Sequence, residues 1–225
     1  MHGQIDPLLA LDRFVELRQT NRRRFSDDEV PAEVISSLQE AAEAEGALLV
    51  VVRSDSDRVT VAALSQRADE LENQNPAYQA EMRAWTTDDQ RRLDGVPSRV
   101  VPRATGASGD EVPIRDFDTR GDGWLPAETR SSRNQCLLIL GTEGDSPGPW
   151  LRAGEALERV LLGVTRHGFT ASPLTQVIEV PATRQALRTE LRLSMYPHVL
   201  LRVGRAPLTP ASPRRRLVDV LTERP

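Results

Sequence analysis

The longest periodic stretch of the chain runs from Trp150 to Leu174. Ala153, Leu157, Val160 or Leu161, and Val164 recur there at helical spacing, while Arg152, Glu155, Arg159 and Arg166 form a polar stripe. The preceding DSPGP offers Ser146 as an N-cap and prolines for the first turn, and Gly168 after His167 is a stop. Gly154 and Gly163, with Ala153 and Ala156, leave one surface of this helix poor in side chain. A second helix or another subunit is expected to pack closely on it.

The same reading places the other elements. Asp6–Gln19 reads as a helix with Leu8, Leu11, Val15 and Leu9 on one face. Pro31 opens a helix over Ala32–Glu45, with Val34, Ile35, Leu38, Ala41 and Ala42 as its apolar stripe and Gly46 as its end. Helices also follow over Asp57–Asn73 (Val61, Leu64, Ala68, Leu71) and, after Asn75-Pro76, over Ala77–Trp85. Short β-rich apolar runs predict buried strands at Ala47–Val52, Cys136–Gly141 and Pro197–Val203, the last ending at Gly204. Phe169–Val180 reads as a turn and a strand, and Pro181–Leu193 as a short helix. From Leu93 to Arg133 the chain is rich in Pro, Gly, Asp and Arg and has no period, which predicts a lid or mobile loop inside a single domain spanning 1–225. No internal repeat or interdomain linker is visible.

Composition narrows the function. A chain of 225 residues can bury one substantial core. No apolar run approaches the roughly 18 residues of a membrane span. The start, MHGQIDPLLALDRF, lacks the basic and apolar regions of a signal peptide, so a cytoplasmic location is expected. The lone Cys136 excludes an intramolecular disulfide. A net charge of -4 argues against a nucleic-acid binder. All 29 basic residues are arginine, whose planar fork suits phosphate and carboxylate.

Two arginine clusters carry the clearest chemistry. Arg18, Arg22, Arg23 and Arg24 lie beside Thr20 and Asn21, and Arg214-Arg215-Arg216 lies near the C-terminus. Brought together they form a phosphate site with bidentate donors; kept apart they are two solvated basic surfaces. The small residues of Gly168–Leu174 either offer backbone N–H groups to a planar ligand or simply connect helix to strand. His2, His167, His198 and Cys136 show no metal-ligand spacing. Neither a nucleophile elbow nor a P-loop nor a dinucleotide-binding glycine motif is present. The run Asp118–Gly123 has the flavour of a calcium loop, but Arg120 and Thr129 stand where carboxylates belong.

At these residues the sequence resembles the FMN-dependent nitroreductase superfamily, and within it the actinobacterial, dormancy-associated Acg-like proteins. The Arg-x-Ser/Thr-x-Arg element running into Phe is matched by Arg18, Thr20, Arg22 and Phe25. The central helix with spaced alanines, paired leucines and a Gly-Phe end is matched by Ala153, Ala156, Leu161, Leu162 and Gly168-Phe169. Gly204-Arg205 and Arg214-Arg215-x-Leu217 match the closing strand end and tail, and AYQAEMRAWT, DGVP, ASPLTQ and PHVLLRVG add to the likeness. The resemblance implies an α+β, nitroreductase-like three-layer fold with a mixed central sheet flanked by helices. It implies an FMN site in which Arg18, Thr20, Asn21 and Arg22 hold the phosphate end with Arg214 or Arg215, and Thr170, Ala171, Ser172, Pro173 and Leu174 lie against the isoalloxazine. The implied activity is electron transfer from NAD(P)H through FMN to a nitroaromatic, quinone or similar acceptor, with no catalytic side chain and no metal. Two departures shape the expectation. The Pro-Ser-x-x-Asn-x-x-Pro-Trp-type stretch that contacts the ring in ordinary nitroreductases is missing from AEAEGALLVVV, which leaves a catalytically degenerate flavin-binding or flavin-storing protein as the alternative. Acg-like proteins also carry an extra N-terminal portion, so this chain is expected to complete its site as a homodimer.

Overall fold

A four-stranded sheet organises the protein. Its strands β1 (Leu48–Val51), β2 (Cys136–Thr142), β3 (Thr170–Pro173) and β4 (Tyr196–Gly204) lie in the order β1-β2-β4-β3, each pair antiparallel. Around it stand α1 (Ala32–Glu43), α2 (Asp55–Asn73), α3 (Pro76–Trp85), α4 (Pro147–Arg166), α5 (Gln176–Glu179), α6 (Pro181–Glu190) and α7 (Leu217–Val220). The computed structural model describes residues 8–23, 25–89, 91–102, 115, 117, 136–212 and 214–221. Most of the predicted loop between Leu93 and Arg133, including the Asp118–Gly123 run, lies outside them.

β2 shows why the protein has three layers. All seven of its residues are buried. Alternation sends Cys136, Leu138 and Leu140 to one face, where they meet Val34, Leu38 and Ala42 of α1 and Ala156, Val160 and Val164 of α4. Leu137 and Ile139 point to the other, against Val61 and Ala62 of α2, Val177 of α5 and Leu187 of α6. Burial on both faces explains the uninterrupted apolar run CLLIL. The expected α+β three-layer class is therefore the observed one. The parallel part of the expected mixed sheet is a bridge between Thr20 and Ala171 at the outer edge of β3; the four strands themselves pair antiparallel.

The long helix α4 ends as its sequence demands. Gly168 takes φ +74°, its N–H bonds to Thr165 O, and the N–H of Phe169 bonds to Val164 O. These are the paired bonds of a Schellman cap. At Gly163 a Cβ would stand 3.0 Å from Leu38 Cδ2, so α1 of the same chain is the close neighbour there. Gly154, by contrast, has nothing within 4 Å. The small-residue surface is thus split between an internal helix contact and an open face. Ser146 occupies the N-cap position of α4 without a side-chain cap bond.

Two predicted elements differ. The N-terminal helix is, within the described residues, a 3-10 helix over Leu9–Phe14 in which Leu11 alone is buried. Leu8, Leu9, Val15 and Leu17 are exposed, so the apolar stripe has no internal partner to hold an α-helix. Phe169–Val180 is a four-residue strand followed by α5, because β3 ends at Pro173 and Thr175 takes the N-cap position of a new turn. Among the described residues no helix is long and apolar enough to cross a membrane.

Candidate functional site

The segment from Arg18 to Phe25 runs along the outer edge of β3, and the C-terminal tail runs along the segment. Thr20 bridges Ala171, and the N–H of Asn21 donates to Ala171 O at 3.0 Å. Asn21 Nδ2 donates to Pro207 O at 2.8 Å, an Arg23 Nη1–H donates to Leu208 O at 3.2 Å, and the N–H of Ser212 donates to Gln19 Oε1 at 3.4 Å. Arg99 adds a bond to Ala211 O at 3.3 Å. The tail's prolines keep it from pairing as a regular strand, so side chains pin it instead. Phe25 anchors the other end. It is buried, with Cδ2 2.9 Å from where a Gly204 Cβ would stand, and its ring lies 4.1 Å below the Arg202 guanidinium. Only glycine at 204 admits the ring. Arg202, just 1% exposed, donates from Nη2 to Arg23 O at 3.1 Å.

This arrangement brings the two arginine clusters together. Arg214 Nη2 donates to the carbonyl oxygen of Arg18, 196 residues away in sequence. Arg18 is half-buried; its Nε lies 3.6 Å from Glu158 Oε1 and completes no hydrogen bond. Arg215 turns away and pairs with Asp94 at 2.5 Å, and Arg216 pairs with Asp219 at 2.9 Å. Arg24 lies outside the described residues. Asn21 is buried and committed to holding the tail, with its Oδ1 also accepting from the N–H of Arg23. The expected open turn of small residues at Thr170–Leu174 is instead an enclosed strand. β4 flanks it on one side and Thr20-Asn21 on the other, Ala171 O is taken by Asn21, and the N–H of Leu174 donates to Leu200 O at 2.8 Å. Ala171, Ser172 and Leu174 are buried, while Thr170 and Pro173 keep partial exposure.

Arg22 has the most unusual surroundings. Its guanidinium lies over the Phe117 ring at 4.6 Å. Arg115 sits near the same ring at 5.9 Å and over Tyr78 at 5.6 Å. Among the described residues no carboxylate pairs with Arg22. Burial, and then the neighbouring Arg115 cation, pull its guanidinium down to about 10. Arg115 is itself paired, with Glu179 at 2.6 Å and with Thr175 Oγ1 at 3.2 Å. Burial alone would raise the Glu179 carboxyl, but bonds from Arg115 and Thr175 hold it below the usual range. Beside it the buried Glu72 is pushed up to about 7, by burial above all, with Tyr78 and Arg115 opposing. Burial also raises the Tyr78 hydroxyl. A desolvated cation without a counter-ion is costly, and an anionic ligand relieves that cost.

Arg115 and Phe117 carry no signal in the sequence, because the residues around them have no period. Glu72 did leave a signal. Val61, Ser65, Ala68 and Glu72 recur at helical spacing, and all four are buried, so the glutamate stands on the core stripe of α2.

A second polar cluster lies at α6 and β4. Arg184 donates from Nη1 and Nη2 to the two oxygens of Asp145, at 3.1 and 2.9 Å, and from Nε to Pro197 O at 2.8 Å. Its Nη2 also reaches His198 Nδ1 at 3.2 Å, and His198 Nε2 meets Thr142 Oγ1 at 2.7 Å. Thr142 donates onward to Gly144 O at 2.8 Å, and Trp150 Nε1 to Asp145 at 2.7 Å. Burial and then Arg184 lower His198, with Asp145 opposing. Cys136 is inert: burial pushes its thiol up to about 11. No group of metal-ligating side chains occurs among the described residues.

No protein-family model matches the chain. Over 222 residues, 95% of its length, it is 33% identical to "Putative NAD(P)H nitroreductase Rv3131" of Mycobacterium tuberculosis. It is 30% identical over 209 residues, 91% of its length, to "Putative NAD(P)H nitroreductase acg" of the same organism. The chain spans 62% of the length of each of these relatives. Among solved structures it superposes on the FMN-dependent nitroreductase NfnB of Mycobacterium smegmatis, solved in complex with NADPH. The TM-score is 0.57 at 19% identity, with 98% of this chain and 100% of that one covered.

Proposed function

Starting from a chain that is homologous over nearly all its length to the Acg-type nitroreductases and has the nitroreductase fold, we propose that this protein is an FMN-dependent oxidoreductase. Bound FMN would carry two electrons from NAD(P)H to a nitroaromatic, quinone or similar acceptor. The observation that carries the reading is the under-satisfied cation Arg22, with the unbonded Nε of Arg18 on the same short segment. The donor set fits a phosphate: Arg18, Arg22, the Thr20 hydroxyl and the nearby Arg214 are of the right chemistry, and among the described residues no carboxylate pairs with Arg22. Asn21 serves the site by holding the tail, and with it Arg214, in place. Thr170 and Pro173 offer the partly exposed surface of β3 to the ring. Arg215 is committed to Asp94 and serves the tail's position. Arg115 and Phe117 stand beside Arg22.

The active form is a homodimer. Support comes from an uncovered apolar surface: Trp150 and Leu151 at the start of α4 are 52% and 67% exposed, and Leu8, Leu9, Val15 and Leu17 are exposed as well. Gly154 leaves open space on the same helix. Sedimentation of the purified chain as a dimer is the expected result.

One observation favours a second reading, a flavin-binding protein without turnover. The chain passes from α1 to β1 through four residues, with the N–H of Ala47 bonded to Ala42 O, and leaves no room for a ring-contact segment there. Anaerobic addition of NADPH to the FMN-loaded protein separates the two. Bleaching of the flavin absorbance establishes the oxidoreductase, and bound flavin that stays oxidised establishes storage. A protein that takes up no FMN defeats both.

A further inference from the structure

Phe117 lies against Arg22 yet has no donor of its own to offer a phosphate. The Arg22 guanidinium stands over its ring at 4.6 Å. The ring is tied down from two sides, and neither tie involves Arg22. The hydroxyl of Thr86, the C-cap of α3, donates to Phe117 O at 3.3 Å. Two residues before Phe117, Arg115 is bonded to Glu179 of α5 at 2.6 Å and to Thr175 Oγ1 at 3.2 Å.

A ring on the face of a guanidinium is a particular kind of partner. The five N–H groups of arginine point outward in the guanidinium plane, so a ring stacked on the face covers none of them. The ring attracts the cation and offsets part of its desolvation. Unlike a carboxylate, it neither neutralises the charge nor fills the fork. Other stacked arginines of this chain that are wholly or partly buried use the arrangement in one way. Arg202 has Phe25 on its face at 4.1 Å and donates from its edge to Arg23 O at 3.1 Å. Arg188 has Tyr196 at 3.8 Å and donates to Met195 O at 3.2 Å. Arg92, over Trp85, bonds Asp94 at 2.9 Å, and Arg115, over Tyr78, bonds Glu179. In each, a ring takes the face and an oxygen meets the edge. Arg22 has the ring, and among the described residues no oxygen meets its edge.

We propose that Phe117 is a positioning residue of the phosphate site: its ring holds the plane of the Arg22 guanidinium and leaves the N–H edge of that plane to the phosphate oxygens. The inference rests on the assignment of Arg22 to phosphate binding and names the group that aims it. A fork already held in one plane loses less freedom when the phosphate arrives, so the ring acts on affinity through Arg22.

Titration of the full chain with FMN, and with riboflavin, which lacks the phosphate, tests the role. Phe117→Leu keeps the apolar bulk and removes the ring. Its Kd for FMN is expected to rise about tenfold, the scale of a desolvated cation–ring contact, while its Kd for riboflavin stays within about twofold of wild type. Phe117→Tyr restores a ring face and should bring the FMN Kd back to within about threefold of wild type. Thr86→Val removes only the hydroxyl that holds the backbone of Phe117. It should raise the FMN Kd about threefold and spare riboflavin, which keeps the test open if Phe117→Leu folds poorly. An unchanged FMN Kd in Phe117→Leu, or in Thr86→Val where the first variant does not fold, overturns the positioning role. Equal losses for FMN and riboflavin, or a tyrosine variant as weak as the leucine one, overturn it as well, and all of these leave the FMN site standing. No FMN binding by wild type overturns the site itself, and the role of Phe117 with it.

Discussion

Two arginines, each set beside an aromatic ring, have opposite fates in this structure. Arg184 is fully spent. Its guanidinium meets both oxygens of Asp145, a backbone carbonyl and the His198 ring, and the chain of bonds closes through Thr142 on Gly144 O. Arg22 has the face of Phe117 and the repulsion of Arg115. Buried polar groups are almost always paired, and a closed network rigidifies the elements it joins. Arg184 ties α6 and β4 to the loop before α4, and that is a complete account of it. Among the described residues Arg22 has no such account, so its partner is sought in a ligand. The contrast separates arginines that build the fold from those that await a ligand, which composition alone could not do in a chain with 29 of them.

Substituting each arginine in turn gives the sharpest way to break the contrast. Arg22→Met removes a charged donor from the proposed phosphate site, so FMN affinity should fall about 100-fold, near the upper end for charge-assisted hydrogen bonds. The same change removes a desolvated cation that no carboxylate pairs among the described residues, so the ligand-free protein should melt no lower than wild type. Flavin titration and thermal denaturation of one preparation test both halves. Full FMN affinity in the variant would return Arg22 to the structural class.

The effect at Arg184 should be of the other kind. Arg184→Ala strips four hydrogen bonds and leaves Asp145 without its partner. Both side chains keep partial solvent contact, so the loss of unfolding free energy should be about 2 kcal/mol, less than for a fully buried pair. FMN affinity should stay within twofold of wild type. Chemical denaturation measures the first quantity and flavin titration the second. A drop in affinity without a drop in stability would invert the comparison.

What the sequence could and could not reveal follows the same division. The layers were legible because burial leaves a period: CLLIL for a strand covered on both faces, and Ala153, Val160 and Val164 for α4. The Arg18–Arg22 motif was legible through its likeness to known proteins, and the structure does bring it beside Arg214. The enclosure of Thr170–Leu174 was not, because it depends on a segment about 150 residues upstream lying along the strand edge, and nothing in the residues themselves encodes that pairing. Arg115 and Phe117 were invisible for want of any period around them. Glu72 was legible in principle, as a carboxyl in a hydrophobic stripe, yet the stripe reads as core with or without it. His198 drew notice as a failed metal ligand, when its role is to join Arg184 to Thr142.

The smallest expected effect is a difference in the sign of pH dependence between the two clusters. Glu72 has its folded value raised, from the ordinary 4.5 to about 7. Its contribution to stability is therefore present below about pH 4.5 and is lost as the pH rises through 7. His198 has its folded value lowered, so its contribution is present above the ordinary value of 6.5 and is lost as the medium becomes more acid. Protonating His198 Nδ1 would also turn it from an acceptor into a donor facing Arg184. Denaturant melts across pH 5 to 8 should show Glu72→Gln gaining on wild type as pH rises, by about 1–2 kcal/mol once solvent screening is allowed for. His198→Gln should be less stable than wild type at pH 8, with the gap narrowing toward pH 5. If both variants shift the profile in the same direction, the two clusters are not opposites, and the case for Arg22 as a site loses its electrostatic footing.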